Sequence, residues 1–153
     1  MTQPIKLISP AHGAIYAERM PLSQTEAAAA VARARKAQKA WAARPLAERI
    51  ALVKAGVDQL LTRKDALVEE LAHQMGRPTR YGGEFGGVVD RTNYMADIAA
   101  EELAPKMVED SDTFRRYLAR EPVGVVFIVA PWNYPYLTTI NTLAPALIAG
   151  NSV

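Results

Sequence analysis

The sequence predicts an α/β fold, and two features of the 153-residue chain support that prediction. Residues 123–153 carry no charged side chain, and they open with a β-rich run, 123–130, that is apolar on both faces. Such a run is typical of a strand that is covered on both sides in a parallel sheet. Between Ser23 and Leu103, apolar residues recur at helical spacing, so helices are expected to supply that cover.

Composition narrows the class of protein. Half of the residues are apolar and 22% are charged, which is ordinary for a globular chain. The net charge of +2 is too small to predict a nucleic-acid partner. The chain has no cysteine, which excludes disulfides, thiolate metal sites and a thiol nucleophile within these residues, and no metal site is predicted.

The chain carries no sign of export or of membrane insertion. Its start lacks the basic segment and apolar core of a signal peptide, so a cytoplasmic location is expected. The uncharged tail is long, but Pro131, Pro135 and Pro145 divide it into pieces too short to span a bilayer. We therefore expect no membrane partner, and we interpret the tail as protein core.

The first elements are a hairpin and a capped helix. Two short apolar runs, 5–8 and 14–17, flank a Ser-Pro turn that closes at Gly13, which predicts a small β-hairpin. Ser23 and Glu26 stand three residues apart and form a capping box, which predicts the start of a helix. The basic residues of that helix are interpreted as a solvated face.

Two further helices follow. Pro45 suits the first turn of the second helix, whose apolar residues include Val53 and Val57. Asp65 is predicted to cap the third helix. Gly76, with Pro78 beyond it, is predicted to end that helix.

Four glycines lie within residues 81–87 and allow two interpretations. Glycine clusters cradle phosphates when they join a strand to a helix, but no strand pattern precedes Tyr81. The residues that follow are helical in spacing. We therefore favour close packing of another element against this helix over phosphate binding.

The chain between this helix and the apolar tail is polar. Pro105 is predicted to end the helix, residues 109–112 to form a polar connector, and residues 114–120 to form an exposed or bridging strand that Pro122 breaks. The predicted organisation is a hairpin and helices over 1–112, the bridging segment over 113–122, and a strand, loop and helix over 123–153.

The loop after the predicted tail strand carries candidate chemistry. In open α/β sheets, ligands bind beyond the carboxyl ends of the strands, and Pro131 and Pro135 stiffen the loop at that position. Asn133 supplies its one side-chain amide, which suits stabilisation of an oxyanion but equally suits a hydrogen bond within the turn. The Trp132 ring is consistent either with a contact to a flat ligand or with packing against the protein.

Two ordered blocks resemble the NAD(P)-dependent aldehyde dehydrogenases. They are the run from Glu121 to Pro135, containing Pro-Trp-Asn, and the run Leu-Ala-Pro-Ala-Leu-Ile-Ala-Gly-Asn ending at Asn151. Upstream, Trp41, Pro-Leu-Ala-Glu-Arg49 and Gly-Arg77-Pro fit in order, although the family more often has Gly-Lys-Pro. The resemblance covers the whole chain but only about the first third of a family member.

The resemblance implies a fold and an activity. The fold would be the amino-terminal helical part and the first strand–helix unit of a Rossmann-type cofactor domain, incomplete in this chain. The activity would be oxidation of a small-molecule aldehyde to a carboxylic acid, with NAD or NADP as cofactor, through a cysteine thiohemiacetal. The full-length parent would be a homo-oligomer, with residues 114–120 bridging its subunits.

The resemblance also assigns roles to individual residues. Asn133 would be the catalytic amide that stabilises the oxyanion. The cofactor site would be lined by Val129, Ala130, Pro131 and Trp132. The aldehyde pocket would be lined by Tyr134, Leu137 and Asn141. The catalytic cysteine and the general-base glutamate of the family would lie beyond Val153, so the chain alone is predicted to be inactive.

Two other interpretations remain open on the sequence. The first is a non-catalytic protein derived from the aldehyde dehydrogenases that acts in binding or assembly. The second is an independent helical domain whose likeness to the family is structural only.

Overall fold

The computed structural model describes residues 3–153 as a mixture of helices and short hairpins, which confirms the α/β class. Strands β1 and β2 pair antiparallel, as do β3 and β4. The elements are β1 Ile5–Ile8, β2 Ile15–Arg19, α1 Gln24–Ala42, α2 Leu46–Leu61, α3 Lys64–Met75, a 3₁₀ turn Thr79–Tyr81, α4 Phe85–Glu102, β3 Lys106–Asp110, β4 Arg115–Leu118 and α5 Pro135–Ile148.

The predicted hairpin and helix start are both confirmed. The hairpin packs against α3 through the Tyr16 ring, which stacks on His73 with 4.7 Å between ring centroids. Ser23 caps α1, and both halves of the capping box form. The Ser23 hydroxyl and backbone N–H donate to the Glu26 carboxylate and lower its pKa below the usual value. No residue of α1 is buried, in keeping with a solvated basic face.

The core lies where α2, α4 and α5 meet. Small and β-branched side chains allow the three helices to approach one another closely. The predicted apolar stripe of α2 faces this core. The buried residues of the core are Val53 and Val57 from α2, Val88, Ala96 and Ala99 from α4, and Ile140, Ala144 and Ile148 from α5.

The sequence predicted the C-terminus of α3 correctly but not its N-terminus. Gly76 ends the helix with φ at 80°, a left-handed conformation that glycine adopts at low cost, as predicted. The prediction that Asp65 caps the helix was wrong. Arg63 occupies the cap position without a side-chain hydrogen bond, and Asp65 lies within the first turn. There, its charge still favours the helix N-terminus.

The glycine cluster is confirmed as a packing feature at Gly87. A Cβ atom built on Gly87 would lie 2.7 Å from Leu137 Cδ1, so α5 rests directly against α4 at this point. Gly86, one residue earlier, faces open space. The cluster thus lets the start of α4 approach the start of α5.

Strand β3 was not predicted. Glu109 and Asp110, assigned to a polar connector, instead end β3, where they pair across the hairpin with Arg116 and Arg115. Arg116 Nη1 lies 2.9 Å from Glu109 Oε2, and every residue of β4 is exposed. Opposite charges directly across an antiparallel pair stabilise a strand that carries little hydrophobic signal. The predicted exposed strand within 114–120 is confirmed as β4.

The predicted tail strand is corrected by the structure. Residues 123–130 form one parallel bridge, between Val125 and Ser152, and no regular strand. The side chains of Val123, Phe127 and Val129 are 83%, 89% and 78% exposed, so the prediction of cover on both faces was wrong. A parallel strand is stabilised by neighbouring strands, and among residues 3–153 the segment pairs with residue 152 alone. None of the helices in this range has the length and hydropathy that a membrane span requires.

Candidate active site

The predicted site residues lie in the first turn of α5 and in the irregular segment before it, except Asn141, which lies in the middle of the helix. Tyr134 is the N-cap of α5 and Pro135 its first residue, where proline fits without loss of a helical hydrogen bond. Trp132 is 76% exposed, and Val129, Ala130 and Asn133 are exposed too. The chain therefore presents these residues together as a short, accessible loop.

Asn133 presents a free amide to solvent. Within residues 3–153 its side chain makes no hydrogen bond, while its backbone carbonyl accepts one from Arg77 Nη2. The backbone N–H and C=O groups of residues 127–132 are likewise without hydrogen bonds in the described part of the chain. The loop thus offers both side-chain and backbone donors and acceptors.

The residues predicted for the aldehyde pocket share one side of α5. Tyr134, Leu137 and Asn141 are spaced three and four residues apart, which aligns them along one helix face. Leu137 packs over Gly87, while Asn141 is exposed. Two apolar cavities of about 310 and 330 Å³ lie beside α5, and they are lined from its other face by residues such as Tyr136 and Ile140. None of the predicted site residues lines either cavity. Tyr134 and Asn141 are exposed, while Leu137 is partly buried against α4.

Glu84, which sequence reasoning did not single out, holds the N-terminus of α5. Its side chain is fully buried. Its Oε2 accepts the Leu137 backbone N–H at 2.7 Å, and its Oε1 lies 3.1 Å from Arg77 Nη1. A negative charge at this point satisfies one of the unpaired N–H groups of the first turn and interacts favourably with the helix dipole.

Arg77 links this carboxylate to the loop. Its guanidinium pairs with Glu84, donates to the Asn133 carbonyl and lies 4.4 Å from the centroid of the Tyr134 ring. The sequence marked Arg77 only as a departure from Gly-Lys-Pro, and Glu84 only as a member of the glycine cluster. A lone carboxylate among glycines, directly before an apolar helix, is the signal that could have identified Glu84.

The opposite end of α5 is held from the α1–α2 junction. Trp41 Nε1 donates to the Leu147 carbonyl at 2.7 Å, and Arg49 Nε donates to the Ile148 carbonyl at 2.9 Å. Arg49 also donates to the carbonyls of Ala42 and Arg44. A cation at a helix C-terminus is favourable for the same dipolar reason, so both ends of α5 are fixed by side chains from other elements.

Tyr136 is half-buried in the first turn of α5. Burial raises the pKa of its phenol, and the nearby Glu70 carboxylate raises it further. Its ring lies 5.1 Å from that of Phe85, which is itself buried. Tyr136 therefore stays a neutral phenol near neutral pH and packs the start of α5 onto the start of α4. Across residues 3–153 no cluster of three or more metal-ligating side chains is present.

Comparison with known proteins decides the family. The family model described as "Aldehyde dehydrogenase family" matches residues 1–153. The chain belongs to the aldehyde dehydrogenase family. The resemblance based on Pro-Trp-Asn, Trp41 and Arg49 is thereby confirmed.

Two curated relatives in the family illustrate the degree of similarity. A Mycolicibacterium smegmatis protein provisionally named succinate-semialdehyde dehydrogenase [NADP(+)] is 36% identical over 133 residues, or 84% of this chain and 25% of that protein. The α-ketoglutarate semialdehyde dehydrogenase of Haloferax volcanii is 35% identical over 132 residues, or 86% of this chain and 27% of that protein. The chain thus spans about a quarter of the curated aldehyde dehydrogenases it matches.

Solved structures of aldehyde dehydrogenases share the fold. The NADP-dependent glyceraldehyde-3-phosphate dehydrogenase of Bacillus halodurans, solved with NADP, matches 97% of this chain and 33% of its own at a TM-score of 0.86 and 33% identity. The NAD-dependent benzaldehyde dehydrogenase of Corynebacterium glutamicum matches 97% of this chain and 33% of its own at a TM-score of 0.87 and 28% identity. The relatives therefore include both NAD- and NADP-dependent enzymes.

Proposed function

We propose that residues 1–153 supply the oxyanion loop and part of the cofactor site of a longer NAD(P)-dependent aldehyde dehydrogenase. The observation that carries the proposal is the state of Asn133. Its amide is exposed and makes no hydrogen bond within residues 3–153, while its backbone is held by Arg77. An amide N–H that is directed at a carbonyl oxygen stabilises the charge that develops on that oxygen under nucleophilic attack.

In this proposal the chain binds and polarises the aldehyde. The Asn133 amide N–H donates to the aldehyde oxygen, and it donates more strongly as that oxygen becomes an oxyanion. Tyr134, Leu137 and Asn141 form the wall of α5 that faces the substrate. Trp132 and the loop proline Pro131 narrow the approach to the carbonyl carbon.

The loop also fits a nicotinamide cofactor. The backbone N–H and C=O groups of residues 127–132 make no hydrogen bonds among the described residues, and they are of the kinds that can pair with the C=O and NH₂ groups of a carboxamide. Val129, Ala130, Pro131 and Trp132 would hold that end of the cofactor. When bound, NAD or NADP accepts the hydride that the aldehyde loses on oxidation.

The nucleophile and the general base come from elsewhere in the longer protein. The chain has no cysteine, and covalent attack on an aldehyde in this family requires a thiolate. In the proposed reaction a thiolate would add to the carbonyl carbon while the Asn133 amide donates to the oxygen. A cofactor held by Val129, Ala130, Pro131 and Trp132 would supply the hydride acceptor, and water would then release the carboxylic acid and the thiol. We therefore predict that the 153-residue chain alone does not oxidise aldehydes.

The proposal includes the assembly of the longer protein. We place the hairpin and helices in 1–112, the subunit-bridging segment in 113–122, and the cofactor-domain strand, loop and helix in 123–153. β3 and β4 form one hairpin, so we extend the bridging segment back to Lys106. Val108, Tyr117 and Leu118 are more than half exposed on this hairpin, and they are available for a second subunit of a homo-oligomer.

A chimera tests the proposed function. Residues 1–153 replace the matching segment of the Bacillus halodurans enzyme, and NADP⁺ reduction with glyceraldehyde 3-phosphate is followed by absorbance. We expect measurable turnover from the chimera and none from the 153-residue chain. A chimera that binds NADP⁺ but does not turn over would contradict the proposal and would favour a non-catalytic descendant of the family.

A further inference from the structure

We infer that Arg77 and Glu84 are positioning residues that set the conformation of the loop carrying Asn133. The inference rests on the proposed function, because positioning matters for catalysis only if the Asn133 amide contacts the substrate. The contacts of Arg77 and Glu84 that support it all lie within residues 3–153. The Glu84 side chain is fully buried and the Arg77 side chain is 13% exposed, and both contact the backbone of the loop or of α5, so we infer that both act through the loop.

Glu84 is the fixed point of this arrangement. Its side chain is inaccessible to solvent, and burial of a carboxylate is costly unless each oxygen is paired. One oxygen accepts the Leu137 N–H at 2.7 Å, and the other lies 3.1 Å from Arg77 Nη1. The two partners come from different segments, so the carboxylate ties the start of α5 to the chain that follows α3.

Arg77 extends the tie to the loop itself. Within residues 3–153, its bond to the Asn133 carbonyl is the one hydrogen bond made by the backbone of residues 127–133. The same guanidinium lies over the Tyr134 ring, 4.4 Å from the centroid. A planar guanidinium can satisfy a carboxylate, a carbonyl and a ring face together, which a lysine ammonium cannot do with the same geometry.

The contacts that hold the loop all lie at or after Asn133 in the chain. Arg77 contacts the Asn133 carbonyl and the Tyr134 ring, and Glu84 accepts the Leu137 N–H one helical turn further on. The backbone on the carboxyl side of Asn133 is therefore held, while residues 127–132 before it make no backbone hydrogen bond within residues 3–153. Misplacement of a catalytic donor by about 1 Å is enough to lower a rate substantially.

The inference predicts different results for substitutions at Arg77. Arg77→Met removes the charge, the donor and the planar group. The Asn133 carbonyl and one oxygen of the Glu84 carboxylate therefore both lose their bond to Arg77. Arg77→Lys keeps a cation beside Glu84 but loses the fork and the ring contact, so the loop alone should loosen. Arg80→Met is the matched control, because Arg80 lies over the exposed Tyr81 ring and makes no hydrogen bond or ion pair with the loop within residues 3–153.

Nuclear magnetic resonance of the ¹⁵N-labelled 153-residue chain tests the inference without substrate or cofactor. The heteronuclear NOE of the Asn133 and Tyr134 amides reports loop order, and hydrogen exchange of the Leu137 amide reports the Glu84 bond. The Trp41 indole N–H, which donates to the Leu147 carbonyl, reports whether the helices remain packed.

We expect ordered NOE values for Asn133 and Tyr134 in the wild-type chain and in Arg80→Met, and a clear fall in Arg77→Met. Glu84→Gln should speed Leu137 exchange by about tenfold, since a hydrogen bond to a charged acceptor is worth about twice a neutral one. Arg77→Lys should lower the loop values by an intermediate amount, with the Trp41 signal unchanged.

Other results overturn the inference. If Arg77→Met alters the Trp41 signal as well, Arg77→Lys decides. If the NOE values of Asn133 and Tyr134 are unchanged in Arg77→Lys, the positioning role is contradicted. It is also contradicted if those NOE values fall only in variants whose Trp41 indole signal changes as well. Disordered loop values in the wild-type chain would do the same. Failure of the chimera to turn over would count against the proposed function but would leave these measurements intact.

Discussion

At the residue scale, the glycines before and inside α4 show how one missing side chain can set the distance between two helices. A Cβ atom on Gly87 would lie 2.7 Å from Leu137 Cδ1, while one on Gly86 would meet nothing within 4 Å. A Cβ atom on Gly87 would therefore require the Leu137 side chain to rotate, while the Leu137 backbone N–H is held by Glu84. The two adjacent glycines therefore differ in what they contribute to stability.

Substitution of each glycine by alanine separates the two contributions. Gly86 lies in the first turn of α4, so Gly86→Ala should stabilise the chain by less than the gain of about 1 kcal/mol that is usual in a helix interior. In Gly87→Ala that gain should be offset by displacement of the Leu137 side chain, so its urea midpoint should lie below that of Gly86→Ala. Equal midpoints for the two variants would show that α5 does not rest on Gly87.

At the element scale, α5 is the helix on which the candidate site depends, and other elements hold it at both ends. Glu84 binds its first turn, and Trp41 and Arg49 bind carbonyls of its last turn. Each contact places a charge or a donor where the helix leaves backbone groups unpaired. The segments that carry the family resemblance upstream of the tail thus have a physical role in holding α5.

Arg49 allows this role to be measured. Arg49→Met removes donors to three carbonyls, and it should lower the free energy of unfolding by about 2 kcal/mol or more, as for loss of hydrogen bonds to a charged group. Arg44→Met is the control. Arg44 forms an exposed pair with Glu48, and such pairs contribute about 0–1 kcal/mol. Urea unfolding followed by circular dichroism gives both values, and similar losses in the two variants would contradict the role assigned to Arg49.

The elements also show which features a single sequence can reveal. The cap at Ser23, the stop at Gly76 and the buried stripe of α2 follow from local chemistry, and they were predicted correctly. β3 was missed because charge pairs across the hairpin stabilise it, and a pairing partner is not visible in local periodicity. The Glu84–Arg77 pair was missed for the same reason. The backbone groups that it binds, in Asn133 and Leu137, lie more than 50 residues further along the chain.

At the scale of the whole molecule, α2, α4 and α5 share one buried core while the apolar tail segment remains uncovered within residues 3–153. Val123, Phe127 and Val129 are largely exposed, although their sequence is that of an interior strand. The sequence identified the strand-like composition correctly, but regular pairing requires neighbouring strands that residues 3–153 do not supply. The same segment leads directly into the loop of Asn133, so its open face and the candidate site adjoin.

The central claim is that Asn133 supplies the amide that stabilises the oxyanion, and kcat of the chimera tests it most directly. Asn133→Ala is compared with Asn93→Ala, which removes an exposed amide from α4. We expect Asn133→Ala to lower kcat by about 100- to 1000-fold, as for loss of an oxyanion donor, with NADP⁺ binding retained. Asn93→Ala should leave kcat close to that of the unsubstituted chimera. A kcat for Asn133→Ala equal to that of Asn93→Ala would contradict the claim.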